Sequence, residues 1–180
     1  MSRPLAEGVM KRLILAALVC LSFNLAGHAE DSKAPTSAPA PVAEVQADGS
    51  LLLKPEGARI HGFHLKLETK PTPTLVFWIS DNEYPEWPQA VDKKGTYAVE
   101  VTYSCPERAG GDYSVEAAAN RINSHTERTA DWQTFKTVKL GNLTVLNDHT
   151  SVALRARGHI EHALMNVQSV KLTPVKEEKK

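Results

Sequence analysis

Tyr97, Val99, Val101 and Tyr103 alternate with Ala98, Glu100, Thr102 and Ser104. A period of two sends successive side chains to opposite faces of an extended chain, so the apolar set lines one face and the polar set the other. Gly95-Thr96 supplies a turn in front of the run. Cys105-Pro106 closes it, because proline has no N–H to give to a neighbouring strand. The pattern returns at Tyr113, Val115 and Ala117, after Gly110-Gly111. Val138 to Leu140, Leu143 to Val145, Val152 to Leu154 and Leu164 to Leu172 add further short runs, separated by Gly141, Asn147-Asp148 and Gly158. Many short strands at roughly ten-residue spacing predict an all-β sandwich. The segment Val115 to Ile122 competes, since its run of alanines has good helix propensity. The period-two pattern on both sides of it favours strand.

The β-rich part does not begin at residue 1. Lys11-Arg12 precede an apolar run from Leu13 to Leu25, and Gly27-His28-Ala29 offers a small-x-small cleavage site. This layout predicts a secretory signal peptide over residues 1–29, cleaved near Ala29, and hence a secreted or periplasmic protein. The run is too short for a membrane span, which needs about twenty apolar residues. Met10 stands directly before Lys11 and would serve as a start as well as Met1. Residues 30–48 are rich in Pro, Ala and Ser, with too little apolar surface to offset ordering, and predict a linker. Residues 176–180 form a charged tail. Residues 49–175, roughly 127 in number, suffice for one domain with its own core.

Charge and cysteine content narrow the function. The chain has 21 basic and 21 acidic side chains; loss of Arg3, Lys11, Arg12 and Glu7 with the leader leaves a net charge of −2. No basic patch stands out apart from the tail, so nucleic acid is not an expected partner. Cys105 is left without a disulfide partner and reads as a small buried hydrophobe at a strand end.

The ordered elements also carry a resemblance. Gly95-Thr96-Tyr97-x-Val99-x-Val101-x-Tyr103 is followed by Tyr113-x-Val115, then Thr129-x-x-Trp132-x-x-Phe135, Leu140-Gly141-x-Leu143, Val152-x-Leu154 and Ala163-Leu164-Met165-Asn166-Val167. In that order, over most of Leu51 to Pro174, the chain resembles the galactose-binding-like β-sandwich of family-six-type carbohydrate-binding modules. It is similar also to the accessory domains attached to bacterial secreted fucosidases and sulfatases. The resemblance implies a jelly-roll of about nine strands in two antiparallel sheets. It implies a non-catalytic protein that binds a glycan or polysaccharide in a loop cleft, alongside a separate secreted hydrolase or sulfatase. It also assigns roles: Trp132 as the ring that stacks on a sugar, Asn166 as a hydrogen-bonding amide, and Trp78 as the opposing wall with Phe77 and Tyr84 behind it. A flat ring beside fixed polar groups suits a sugar, which has apolar faces and a polar rim. Two alternatives stay open. Trp132 can equally plug the space between sheets, and Asn166 can be a satisfied buried amide; the sandwich would then be structural or bind a protein. Trp87, between Glu86 and Pro88, reads as core packing.

The relatives often hold a structural calcium through acidic residues in the first strand. Here that run is Leu51-Leu52-Leu53-Lys54-Pro55-Glu56, with Lys54 and Pro55 where acids are expected, so no cofactor is expected. His61-x-x-His64 and His159-x-x-His162 space histidines by three, which on strands sends the two rings of a pair to opposite faces. Zinc needs three or four converging ligands. No nucleophile elbow, phosphate loop or His-Glu-x-x-His motif is present, and no catalytic residue is assigned.

Overall fold

The computed structural model describes residues 41–176; the expected leader, the linker up to residue 40 and the last four residues lie outside them. Twelve strands follow one another: β1 (Glu44–Val45), β2 (Leu51–Leu53), β3 (Arg59–His61), β4 (Lys66–Glu68), β5 (Thr74–Val76), β6 (Tyr84–Val91), β7 (Gly95–Ser104), β8 (Gly110–Ala117), β9 (Asn120–His125), β10 (Lys136–Val145), β11 (Thr150–Glu161) and β12 (Asn166–Pro174). A single 3-10 turn, Pro55–Gly57, is the one helical element among the described residues. No helix in this part is long and apolar enough to cross a membrane.

The strands form two antiparallel sheets. In the larger, seven-stranded sheet, β12 is the centre. One side of β12 pairs with β7, which pairs in turn with β10. Its other side pairs first with β5 at Val167↔Leu75, then with β2 from Val170↔Leu53 to Leu172↔Leu51. The smaller sheet runs β3-β6-β11-β8-β9. This is the all-β sandwich that the alternation predicts, with a few more strands than the nine expected, because short edge strands such as β1, β3 and β4 carry too few residues to show a period.

The core follows from the same alternation. Tyr97, Val99, Val101 and Tyr103 of β7 are buried, as are Tyr113, Val115 and Ala117 of β8 and Val152, Leu154 and Ala156 of β11. Tyr103 and Tyr113 meet edge to face across the sandwich at 6.0 Å. Trp87 is fully buried, with its indole N–H donating to the Lys54 carbonyl at 2.7 Å. The alanine-rich segment adopts strand, hairpin and strand: Ala117 pairs with Asn120, and Ala118 takes the left-handed conformation the tight turn needs. Burial of Val115 and Ala117 against the other sheet outweighs the few tenths of a kcal/mol that helix propensity offers per residue.

The folded part begins earlier than Gly49. Glu44 and Val45 pair with Leu52 and Leu51 around a turn closed by Gly49 N–H donating to the Gln46 carbonyl, and Val42 and Ala43 pack on the core. The linker composition ends in a β-hairpin because Val42 and Ala43 supply apolar contacts that the Pro/Ala repeat lacks. Lys54, in the run where the resemblance implies calcium-binding acids, is 2.8 Å from Glu44. A cation already sits there, and the residues do not fit a calcium site. No cluster of three or more His, Cys, Asp or Glu able to hold a metal occurs among the described residues.

Candidate functional site

One end of the sandwich carries a recess of about 220 Å3 bounded by two loops. Its strand side is made by Glu68 of β4, Thr74 and Val76 of β5, and Asn166 and Gln168 of β12. Its loop walls are Lys70, Pro71 and Thr72 from the β4–β5 turn, and Trp132, Gln133 and Phe135 from the segment before β10. Two of the four residues expected in the site, Trp132 and Asn166, therefore come together.

The loop that presents Trp132 is fixed by local hydrogen bonds. Asp131 accepts from the backbone N–H of Gln133 at 2.9 Å and of Thr134 at 2.6 Å. This side-chain-capped turn is a structure that aspartate forms readily. The Ser104 hydroxyl at the end of β7 donates to the Trp132 carbonyl at 2.8 Å. Thr129 ties the loop to the neighbouring Cys105: its hydroxyl accepts from Cys105 N–H at 2.9 Å, and its own N–H donates to the Cys105 carbonyl at 2.7 Å. The Thr134 hydroxyl and the Gln133 and Thr134 amides together hold the Asp131 carboxyl below its usual value. Asp131→Ala is expected to speed hydrogen exchange at the Gln133 and Thr134 amides and to weaken ligand binding, with the unfolding midpoint almost unchanged. An unaltered exchange pattern would show that the loop owes its shape to something else.

Trp132 itself is half-buried, with part of the indole packed on the core and part facing the recess. Asn166 is the first residue of β12 and pairs with Ser104, the residue that grips Trp132. Gln168 joins by alternation: Val167 is buried, so Asn166 and Gln168 share the opposite face of β12, ahead of a bulge that shifts the register before Ser169. Sequence reasoning missed Gln168, although it stands two residues beyond Asn166, on the same face by the period of two. It missed Phe135 as a site residue too, although the Trp132-x-x-Phe135 spacing within one turn was a usable signal. The resulting set is two aromatic rings beside three carboxamides, and each carboxamide can both donate and accept.

The other two expected residues lie elsewhere. Trp78 is fully buried and belongs to the core. Leu75 faces inward, so strict alternation would put Phe77 inside and Trp78 outside. Phe77 instead adopts φ +60, and the order inverts: Phe77 is 56% exposed and Trp78 points inward. Trp78 is thus not the opposing wall; that wall is Lys70, Pro71 and Thr72. Tyr84 lies in the other sheet, on β6 between β3 and β11. It stacks on His61 at 4.3 Å, and the Arg155 guanidinium lies 3.4 Å from its ring centroid. With both faces covered by protein, Tyr84 has none left for a sugar.

Cys105 is buried, and burial pushes its thiol pKa up, which suits a packing role and not a nucleophile. The two histidine pairs remain apart from the recess.

Among solved structures the fold has clear neighbours. A family 35 carbohydrate-binding module from Clostridium thermocellum aligns with a TM-score of 0.57 at 18% identity, covering 70% of this chain and 98% of that one. The C-terminal family 6 module of a marine laminarinase from Zobellia galactanivorans aligns with a TM-score of 0.55 at 14% identity, covering 69% and 98%. A family 35 module in complex with a glucuronic acid-containing disaccharide aligns with a TM-score of 0.54 at 16% identity, covering 67% and 91%. The protein therefore has the galactose-binding-like β-sandwich fold that these carbohydrate-binding modules share. No protein-family model matches the sequence, and no curated protein matches it.

Proposed function

We propose that this protein is a non-catalytic carbohydrate-binding module that holds a glycan in the recess between Trp132 and Asn166. The observation that carries this reading is the convergence of those two residues, distant in sequence, on one recess with Phe135 and Gln168. A sugar ring lies with its apolar face on the indole, while the carboxamides of Asn166, Gln133 and Gln168 meet its hydroxyls. The fold's neighbours, which are carbohydrate-binding modules, support the same reading. Export through the leader ending near Ala29, followed by action beside a separate secreted hydrolase or sulfatase, completes the proposal.

The test is a glycan panel with the protein from Glu30 onward, followed by calorimetry on the hits. Saturable binding to at least one saccharide class is expected, and no binding across neutral and acidic glycans would overturn the reading. A second reading, a sandwich that docks a protein, draws on the exposed Phe63, Phe77 and Ile79. It predicts that Phe77→Ala reduces partner capture and leaves glycans unaffected.

A further inference from the structure

The loop end of the sandwich has a second recess, about 460 Å3, lined by Arg108 of the β7–β8 turn and by His159, Ile160, Glu161 and His162 around the end of β11. It shares its framework with the first. Gly110 N–H donates to the Ala163 carbonyl at 2.7 Å, Leu164 N–H donates to the Trp78 carbonyl at 2.8 Å, and β12 then opens with Asn166. The His159-x-x-His162 spacing, unproductive on a regular strand, brings both rings to one recess for two reasons. A bulge interrupts the β11–β8 pairing between Arg157 and Ile160, and His162 sits at φ +54. Arg108, on the other side, sits at φ +68. Left-handed conformations cost a non-glycine residue about 1 kcal/mol or more and gather where a surface is shaped for a ligand.

The charges in and around this recess do not cancel within it. Its one lining acid, Glu161, is engaged by Arg128 at 2.8 Å, and nearby Asp112 is engaged by His125 at 2.7 Å. Glu107, beside Arg108 in the turn, is exposed. Arg108, His159 and His162 have no ion-pair partner among the described residues. A guanidinium fork and two imidazole N–H donors around the half-buried Ile160 form an arrangement that suits a planar or tetrahedral oxyanion on an otherwise apolar ring.

We infer that this recess binds an anionic substituent, a carboxylate or a sulfate ester, of the same glycan that the Trp132 recess holds, so that the ligand class is an acidic glycan. The inference rests on the binding reading above. The four-residue step from His162 to Asn166 reaches at most about 14 Å, within the span of a short oligosaccharide.

The test is calorimetry with three ligands on one backbone: a neutral oligosaccharide, its 6-carboxylate form and its 6-sulfate ester. At least one charged form is expected to bind about tenfold more tightly than the neutral one. Arg108→Ala, and His159→Gln combined with His162→Gln, should bring that preference within about twofold, with neutral affinity and melting temperature retained. Which charged form is preferred identifies the substituent. Equal affinity for all three ligands, or a preference that survives both variants, overturns the anionic subsite and leaves the Trp132 reading standing. Absence of binding for every form overturns both.

Discussion

Trp132→Ala is expected to remove glycan binding, a loss of about 2 kcal/mol or more, which is roughly thirtyfold or greater in affinity. The indole is the larger of the two aromatic rings in the recess, and Asn166, Gln133 and Gln168 can orient a sugar but cannot replace stacking. The same change has a stability cost, because the indole is half-buried and packs on the core. That cost should be about 1–2 kcal/mol, below the 3–5 kcal/mol typical of a fully buried tryptophan such as Trp78. Asn166→Ala should weaken binding by only about 0.5–1.5 kcal/mol, the worth of one hydrogen bond in a wet site. Calorimetric affinity and the denaturant midpoint, measured together, separate these effects. A folded Trp132→Ala variant that binds as before would place the glycan elsewhere.

Glu83→Gln should be the most damaging single substitution outside the apolar core. The Glu83 side chain is 6% exposed. It accepts from the backbone N–H of Phe63 at 2.7 Å, His64 at 2.8 Å and Leu65 at 2.8 Å, and from the His64 ring at 3.0 Å. Burial pushes this carboxyl up, but the three backbone donors and the ring together outweigh it and hold the pKa at about 2, against an ordinary 4.5. The carboxylate thereby fixes the loop that mounts Phe63, which is 83% exposed. Gly62, at φ +133, has to be glycine, since a Cβ there would lie 2.3 Å from the Glu83 Cγ. A folded-state pKa below the unfolded one means that the stabilisation is fully present above about pH 4.5 and is lost as pH falls toward about 2. The expected loss for Glu83→Gln is about 3 kcal/mol at neutral pH. Urea unfolding at a series of pH values should show the gap between wild type and variant closing over that window. A gap that stays constant down to pH 2 would mean the carboxylate's charge is not what holds the loop.

The fold class was legible because strand periodicity is a local property. Tyr97 to Tyr103 must bury one face whatever it packs against, and Gly95 and Pro106 mark the ends of that run by backbone chemistry alone. Trp87 as core and Cys105 as a buried small residue followed from the same local reasoning. Trp132 and Asn166 were found through the order and spacing of neighbouring elements, a signal that survives where each piece alone is weak.

Other assignments depended on contacts between distant segments. Trp78 was assigned to the site by the resemblance alone, and the left-handed turn at Phe77 is what sends it into the core. Tyr84 has no mark in its own neighbourhood that it will be enclosed, since His61 and Arg155 reach it from two different strands. His159 and His162 share a recess through a bulge that no local pattern announces. Local sequence thus determined that the chain forms strands and which of their faces are apolar. Tertiary structure alone decided which aromatic rings kept a face for a ligand, because exposure at the end of a sandwich is set by how loops from different strands close over one another.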